Sequence, residues 1–210
     1  MEATSTPSAP GARSRAAETF LFASNFVRHP HMLGSIIPSS RFLVDAVLDR
    51  VAWSKAKVVV EYGPGVGTFT AEILRRMRSD ARLVAIETNP QFVRFMQRTL
   101  PDARLIVERG SAEDVGEILA RQALPCANTI VSGIPLGSFP TWLQAGIAEA
   151  SRDALDADGR FLVYQFTARV LPVLRATFSR VDRAREWRNF PPAQLFECAN
   201  DVTELPVPPR

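Results

Sequence analysis

The stretch Val58-Val59-Val60-Glu61-Tyr62-Gly63-Pro64-Gly65-Val66-Gly67-Thr68 runs three valines directly into a carboxylate and then into alternating glycines. Valine's branched Cβ suits a pleated strand, and an apolar run without polar alternation reads as a strand covered on both faces. The glycines that follow let the backbone turn sharply and approach a ligand closely. The stretch therefore predicts the first strand and turn of a nucleotide-binding α/β unit.

The chemistry of this turn excludes two nucleotide classes. In the dinucleotide fingerprint G-x-G-x-x-G, Gly63 and Gly65 fit, but Thr68 stands where the third glycine belongs. Glu61 would also repel a pyrophosphate seated beside it. A P-loop is excluded because no Gly-Lys-Ser/Thr follows the glycines. S-adenosylmethionine instead brings an ammonium and a sulfonium, and both cations are attracted to Glu61. The pattern E-x-G-x-G-x-G thus points to a methyl donor held around Glu61, Gly63, Gly65, Gly67 and Thr68.

A bound nucleoside also needs its ribose hydroxyls held. Arg82 to Glu87 is a second apolar run ending on an acid, about twenty residues beyond the glycines, where a carboxylate accepts both hydroxyls of a ribose. Thr88 and Asn89 continue that loop. After a third run, Arg104 to Glu108, the segment Gly110-Ser111-Ala112-Glu113-Asp114 falls where an adenine would lie. Ser111, Ala112 and Glu113 read there as adenine contacts, as the start of a helix capped by Ser111, or as both.

Strands are predicted at Val58 to Glu61, Arg82 to Glu87, Arg104 to Glu108, Asn128 to Val131 and Arg160 to Phe166, the last opened by an Asp158-Gly159 turn. Helices are predicted at Phe69 to Met77, Pro90 to Leu100, Asp114 to Gln122 and Pro140 to Leu155. Such alternation implies a parallel, doubly wound sheet. Val181 to Arg188 and Leu195 to Ala199 flank Asn189-Phe190-Pro191-Pro192 and suggest a closing antiparallel hairpin. Seven strands in this arrangement resemble the Rossmann-like class I S-adenosylmethionine-dependent methyltransferase fold, an α/β architecture with a mostly parallel sheet.

Composition fits one catalytic domain: 210 residues with 46% hydrophobic content fill a single core. Residues 1–13 are expected to form a disordered tail, 14–37 a docking or lid helix, and 38–210 the methyltransferase domain. No apolar run approaches the ~20 residues that span a bilayer, and no secretory pattern opens the chain. Cys126 and Cys198 lack C-x-x-C spacing and are expected reduced, in or near strands. His29 and His31 have no acidic or thiol neighbours, so no metal is expected.

The order and spacing of Gly34-Ser35-Ile36-Ile37-Pro38-Ser39-Ser40, Glu61 to Thr70, Ala85-Ile86-Glu87-Thr88-Asn89-Pro90, Ser132-Gly133-Ile134-Pro135, Phe161 to Gln165, and Glu186-Trp187 with Pro191-Pro192-Ala193 resemble the bacterial phospholipid N-methyltransferases. These methylate phosphatidylethanolamine toward phosphatidylcholine and look related to the rRNA adenine dimethyltransferases. The resemblance covers most of the chain. It implies S-adenosylmethionine as cofactor, S-adenosylhomocysteine as product, a site to which Ser39 also contributes, and an N-terminal helix that docks on membrane.

The segment Val131-Ser132-Gly133-Ile134-Pro135-Leu136 weighs lipid against nucleic acid. Adenine methylation asks here for an Asn or Asp and, after x-Pro, an aromatic ring that stacks the extruded base. Ser132 is a poorer acceptor and Leu136 cannot stack, a loss of about 1–3 kcal/mol per base contact. A lipid amine needs no such platform. Ser132, Gly133 and Ile134 are therefore read as the place where the amine is held, with Ser132 also facing the cofactor. Tyr164 is read as a proton acceptor, a hydrogen-bond partner of the substrate, or the end of a buried strand. Ornithine lipid and rRNA adenine remain alternative acceptors.

Pro135, Leu136 and Arg188 are expected at the lipid, as are Phe20, Phe22 and Phe26. These last lie in Ser14 to His29, whose apolar residues recur at near-helical spacing among Arg13, Arg15 and Arg28 before Pro30 ends the helix. That is the pattern of a helix lying in an anionic bilayer surface, and equally of a lid packed on the domain. The net charge of +3 suits a phospholipid or a nucleic acid. Expected overall is a cytoplasmic monomer on the inner face of the membrane, with a phospholipid substrate and no nucleic acid.

Overall fold

The computed structural model describes residues 40–200. The expected tail, the helix with Phe20, Phe22 and Phe26, Ser39, and His29 and His31 lie outside the described residues. Within them the chain runs α1 (Arg41–Leu48), β1 (Val58–Tyr62), α2 (Thr68–Arg76), β2 (Arg82–Glu87), α3 (Pro90–Thr99), β3 (Leu105–Arg109), α4 (Val115–Arg121) and β4 (Ala127–Ser132). It continues through α5 (Thr141–Ala154), β5 (Leu155–Gln165), α6 (Leu171–Thr177), β6 (Arg180–Glu186) and β7 (Ala193–Ala199).

The strands form one seven-stranded sheet in the order β3-β2-β1-β4-β5-β7-β6. The first five are parallel, and β7 runs antiparallel to both β5 and β6. This is the class I methyltransferase architecture. The chain winds outward from β1 to β3 and returns on the other side of β1, so the strand order reverses between β1 and β4. In such open sheets ligands settle outside the carboxyl ends of the strands at that switch point.

All five residues of β1 are buried, as the valine run predicts for a central strand packed on both faces. Alternation divides them between two layers. Val59 joins Phe69, Ile73, Leu83, Val131 and Leu162 with α1 residues Leu43 and Val47 in one core cluster, and Glu61 points to the same layer. Tyr62 faces the other layer, where its hydroxyl lies 3.1 Å from Ser151 Oγ on α5 and its ring meets Phe161 edge-on. Arg76 ties α1 to α2 through Asp45 and Asp49 while also holding Glu72.

Three features depart from the sequence reading. Asp158-Gly159 lies inside β5 and does not open it. The β4–β5 pairing slips between Ala127, opposite Leu155, and Thr129, opposite Arg160, and the intervening residues bulge from the ladder. Helices α1 and α6, of eight and seven residues, were not expected from the sequence. Cys198 is buried in β7, whereas Cys126 is exposed just before β4. Among the described residues no helix is long and apolar enough to cross a membrane, and no cluster of three His, Cys, Asp or Glu is placed to hold a metal.

Candidate active site

The glycine turn leaves β1 at the switch point. Gly63, Gly65 and Gly67 all have positive φ, at 67°, 57° and 86°, a region that costs an L-residue roughly 1–2 kcal/mol. A Cβ at Gly63 would lie 2.6 Å from Ile134 Cγ2, so close approach to the end of β4 also demands glycine there. A Cβ at Gly65 would meet nothing within 4 Å. The turn is thus packed on its β4 side and open at Gly65. Thr68, exposed, begins α2 behind Gly67.

Glu61, expected to face the cofactor cation, is 3% exposed, and its Oε2 accepts the Thr70 hydroxyl at 2.7 Å. It fastens α2 to β1 beneath the turn. Burial, with the nearby Glu87 charge adding to it, outweighs that hydrogen bond and lifts the Glu61 carboxyl to about 7.

Glu87 ends β2 beside the turn. Its Oε2 accepts Gly65 N–H at 3.2 Å, and its Oε1 accepts Asn89 N–H at 2.8 Å and the Thr88 hydroxyl at 3.4 Å. Burial raises its pKa against these hydrogen bonds. Asn89 also caps α3, accepting Gln91 N–H at 2.8 Å. Gly110 N–H bonds the Glu87 carbonyl at 3.2 Å, which brings the Ser111 loop alongside. There Ser111 Oγ accepts Glu113 N–H, and Asp114 closes a capping box. Ala112 is buried, and Glu113 lies against α5, where a Cβ on Gly146 would stand 2.9 Å from its Oε1. The helix-start reading of this loop is therefore realised.

At the end of β4, Ser132 is fully buried and its Oγ has no hydrogen-bond partner among the described residues. Gly133 N–H bonds the Tyr62 carbonyl at 3.0 Å. A Cβ on Gly133 would collide with the Tyr164 hydroxyl and lie 3.5 Å from the Gly63 carbonyl oxygen. Tyr164 is held flat on Phe69 of α2, with ring centres 4.8 Å apart. Gly63, Gly133, Ile134 and Tyr164 thus converge from β1, β4 and β5.

Gln165 was not singled out in the sequence, where it reads as a polar residue ending an apolar run. Its Nε2 donates to the Ile134 carbonyl at 2.7 Å, and its Oε1 accepts Gly137 N–H at 3.2 Å. It clamps the loop after β4 from the neighbouring strand. Gln165→Leu is expected to leave Gly137 N–H unpaired, while the Ile134 carbonyl keeps Leu136 N–H at 2.8 Å, and to cost about 2 kcal/mol, read as a lower urea midpoint. An unchanged midpoint would discount the clamp.

Pro135 is half-buried beside this loop, but Leu136 is fully buried. The expectation of Leu136 at the lipid is corrected: a 3-10 turn, Leu136–Ser138, carries the side chain into the core. Arg188 binds Glu186 through two 2.9 Å contacts and lies 4.6 Å over the Phe42 ring. The Arg188 guanidinium holds the Glu186 carboxyl at about 2.

These residues fit the expected cofactor. The open side of Gly65, the Glu87 carboxylate beside it and the buried Ser132 Oγ, without a partner among the described residues, supply a backbone cradle, an acceptor for a ribose diol and an unused polar atom at one switch point.

Comparison with known proteins agrees. The profile of the family described as Ribosomal RNA adenine dimethylase matches residues 22–109. The ornithine lipid N-methyltransferase of Singulisphaera acidiphila is 32% identical over 187 residues, which cover 85% of this chain and 94% of that protein. The ribosomal RNA small subunit methyltransferase A of a Burkholderia species is 36% identical over 70 residues, 33% of this chain and 25% of that one. Human methyltransferase-like protein 13, solved with SAH, superposes with a TM-score of 0.60 at 15% identity, covering 80% of this chain and 84% of that chain. The chain therefore belongs to the S-adenosylmethionine-dependent methyltransferases, in the family of the Singulisphaera ornithine lipid N-methyltransferase.

Proposed function

We propose that the chain methylates the primary amine of an ornithine-type lipid headgroup. The observation that carries this reading is the alignment with the Singulisphaera enzyme along 94% of its length. The phosphatidylethanolamine reading from the sequence becomes the second acceptor to test, because that relative's name supports an amino-acid lipid. The match to the rRNA dimethylase profile ends at residue 109, short of the loop after β4. It supports the donor half of the site, and the buried Leu136 offers no ring for a base.

Bound S-adenosylmethionine supplies a methyl group on a sulfonium. A primary alkylamine, with pKa ~10.4 in lysine, attacks only after losing a proton. We assign its placement to the loop after β4, where the Tyr164 hydroxyl closes over Gly133 and Ser132 Oγ is available. The Ile134 carbonyl already accepts both Gln165 Nε2 and Leu136 N–H, so the amine is assigned to Ser132 Oγ and the Tyr164 hydroxyl. Tyr164 orients the amine, and water carries the proton away. Catalysis then rests on positioning. Residues 14–37 are proposed, from their sequence, to hold the enzyme at the lipid surface.

Labelled methyl transfer to vesicles of ornithine lipid, vesicles of phosphatidylethanolamine and unmodified ribosomal RNA tests the assignment. Label in ornithine lipid is expected. Label confined to phosphatidylethanolamine would restore that headgroup, and label confined to RNA would overturn the lipid reading.

A further inference from the structure

We propose that the β6–β7 turn is a membrane contact separate from the N-terminal segment, inserting an aromatic tip flanked by arginines into an anionic lipid surface. The inference rests on the lipid-substrate reading above. β5 ends at Gln165, which pairs with Gln194 of β7, and Gln194 pairs with Arg185 of β6. The turn between β6 and β7 consequently projects from the sheet edge that carries the glycine turn and the loop after β4.

Two large rings stand bare on that turn: Trp187 is 67% exposed and Phe190 83%. Neighbouring exposed rings of this size on a rigid element mark a surface meant to be covered. The turn is held in place. Asn189, itself buried, accepts Ser40 N–H at 3.2 Å and donates to the Pro191 carbonyl at 2.8 Å. Binding would therefore cost little ordering entropy.

Charge identifies the partner. Arg185 lies 4.6 Å over the Trp187 ring and Arg188 lies 4.6 Å over Phe42. Glu186 is engaged by Arg188, so the Arg185 charge faces outward unanswered by that acid. Tryptophan and arginine side by side suit the headgroup level of an anionic bilayer, rings inward and guanidinium groups among phosphates. A stacked RNA base would find one face of Trp187 already covered by a guanidinium.

The test uses the full chain and its Trp187→Ser/Phe190→Ser variant in cosedimentation with phosphatidylglycerol vesicles. At least tenfold weaker partitioning is expected, with S-adenosylmethionine affinity by calorimetry unchanged. In parallel, the fluorescence difference between the wild type and Trp187→Phe is expected to shift to the blue and to be quenched by brominated lipid. Unchanged partitioning, or a Trp187 signal that vesicles do not alter, overturns the proposal. So does a variant that loses ribosomal RNA binding but keeps vesicles. Lost partitioning with no lipid methylated would sink the substrate reading and leave the docking surface standing. Lipid methylation with unchanged partitioning would do the reverse.

Discussion

Gly63→Ala is expected to destabilise the protein by about 3 kcal/mol, whereas Gly65→Ala, two residues away, is expected to cost only about 1–2 kcal/mol yet to damage cofactor binding more. Both positions have positive φ, 67° and 57°, so each alanine carries the left-handed penalty of roughly 1–2 kcal/mol. At Gly63 the new Cβ also meets Ile134 Cγ2 at 2.6 Å, and overpacking adds about 1–3 kcal/mol. At Gly65 it meets no protein atom and enters the open side beside Glu87. Urea midpoints and calorimetric affinities separate the two effects. Ile134→Ala introduced into Gly63→Ala should recover the packing part and leave the backbone part. Equal stability losses, or full affinity in Gly65→Ala, would refute the cradle.

Wild-type stability is expected to fall by about 3 kcal/mol as pH rises from below 5 to above 7, and Glu61→Gln should flatten most of that fall. The folded-state carboxyl sits at about 7 against an ordinary 4.5, raised by burial first. Below 4.5 the group is protonated in both folded and unfolded chains, and its contribution is fully present. Between the two values the folded chain holds a proton that the unfolded chain has released, so stability declines with pH until the folded form also ionises. Each tenfold difference in proton affinity between the two states is worth about 1.4 kcal/mol. Glutamine keeps an oxygen for the Thr70 hydroxyl and removes the ionisation. Glu87 is shifted in the same direction and leaves a residual slope. A wild type whose urea midpoint is flat over this range would show that Glu61 remains charged.

The strand Val58–Tyr62 and the strand Arg82–Glu87 are legible residue by residue, since continuous burial and a terminal acid both leave local marks. The same holds for α3, opened by Asn89 and Pro90. The role of Glu61 is less legible. Its position at the strand end is local information, but the direction of its side chain follows from strand alternation, which turns it toward Thr70 with Val59. Leu136 is misplaced by the sequence for a similar reason: a proline-led turn marks a loop without saying which side chain the loop buries.

By itself the sequence determined the strand-and-turn frame at the switch point: a β-branched run, three glycines, and acids at two strand ends, all within short spans whose periodicity and backbone demands are intrinsic to the residues. Only the tertiary structure decided how the loop after β4, proposed for the acceptor, is built. Gly133 must be glycine because Tyr164 comes over it from β5, the loop after β4 is held by Gln165 from that same strand, and Trp187 and Phe190 reach the site edge because β7 runs antiparallel. Those constraints arise between residues far apart in the chain, brought together when burial of the two sheet faces selects one register, and no local pattern carries them.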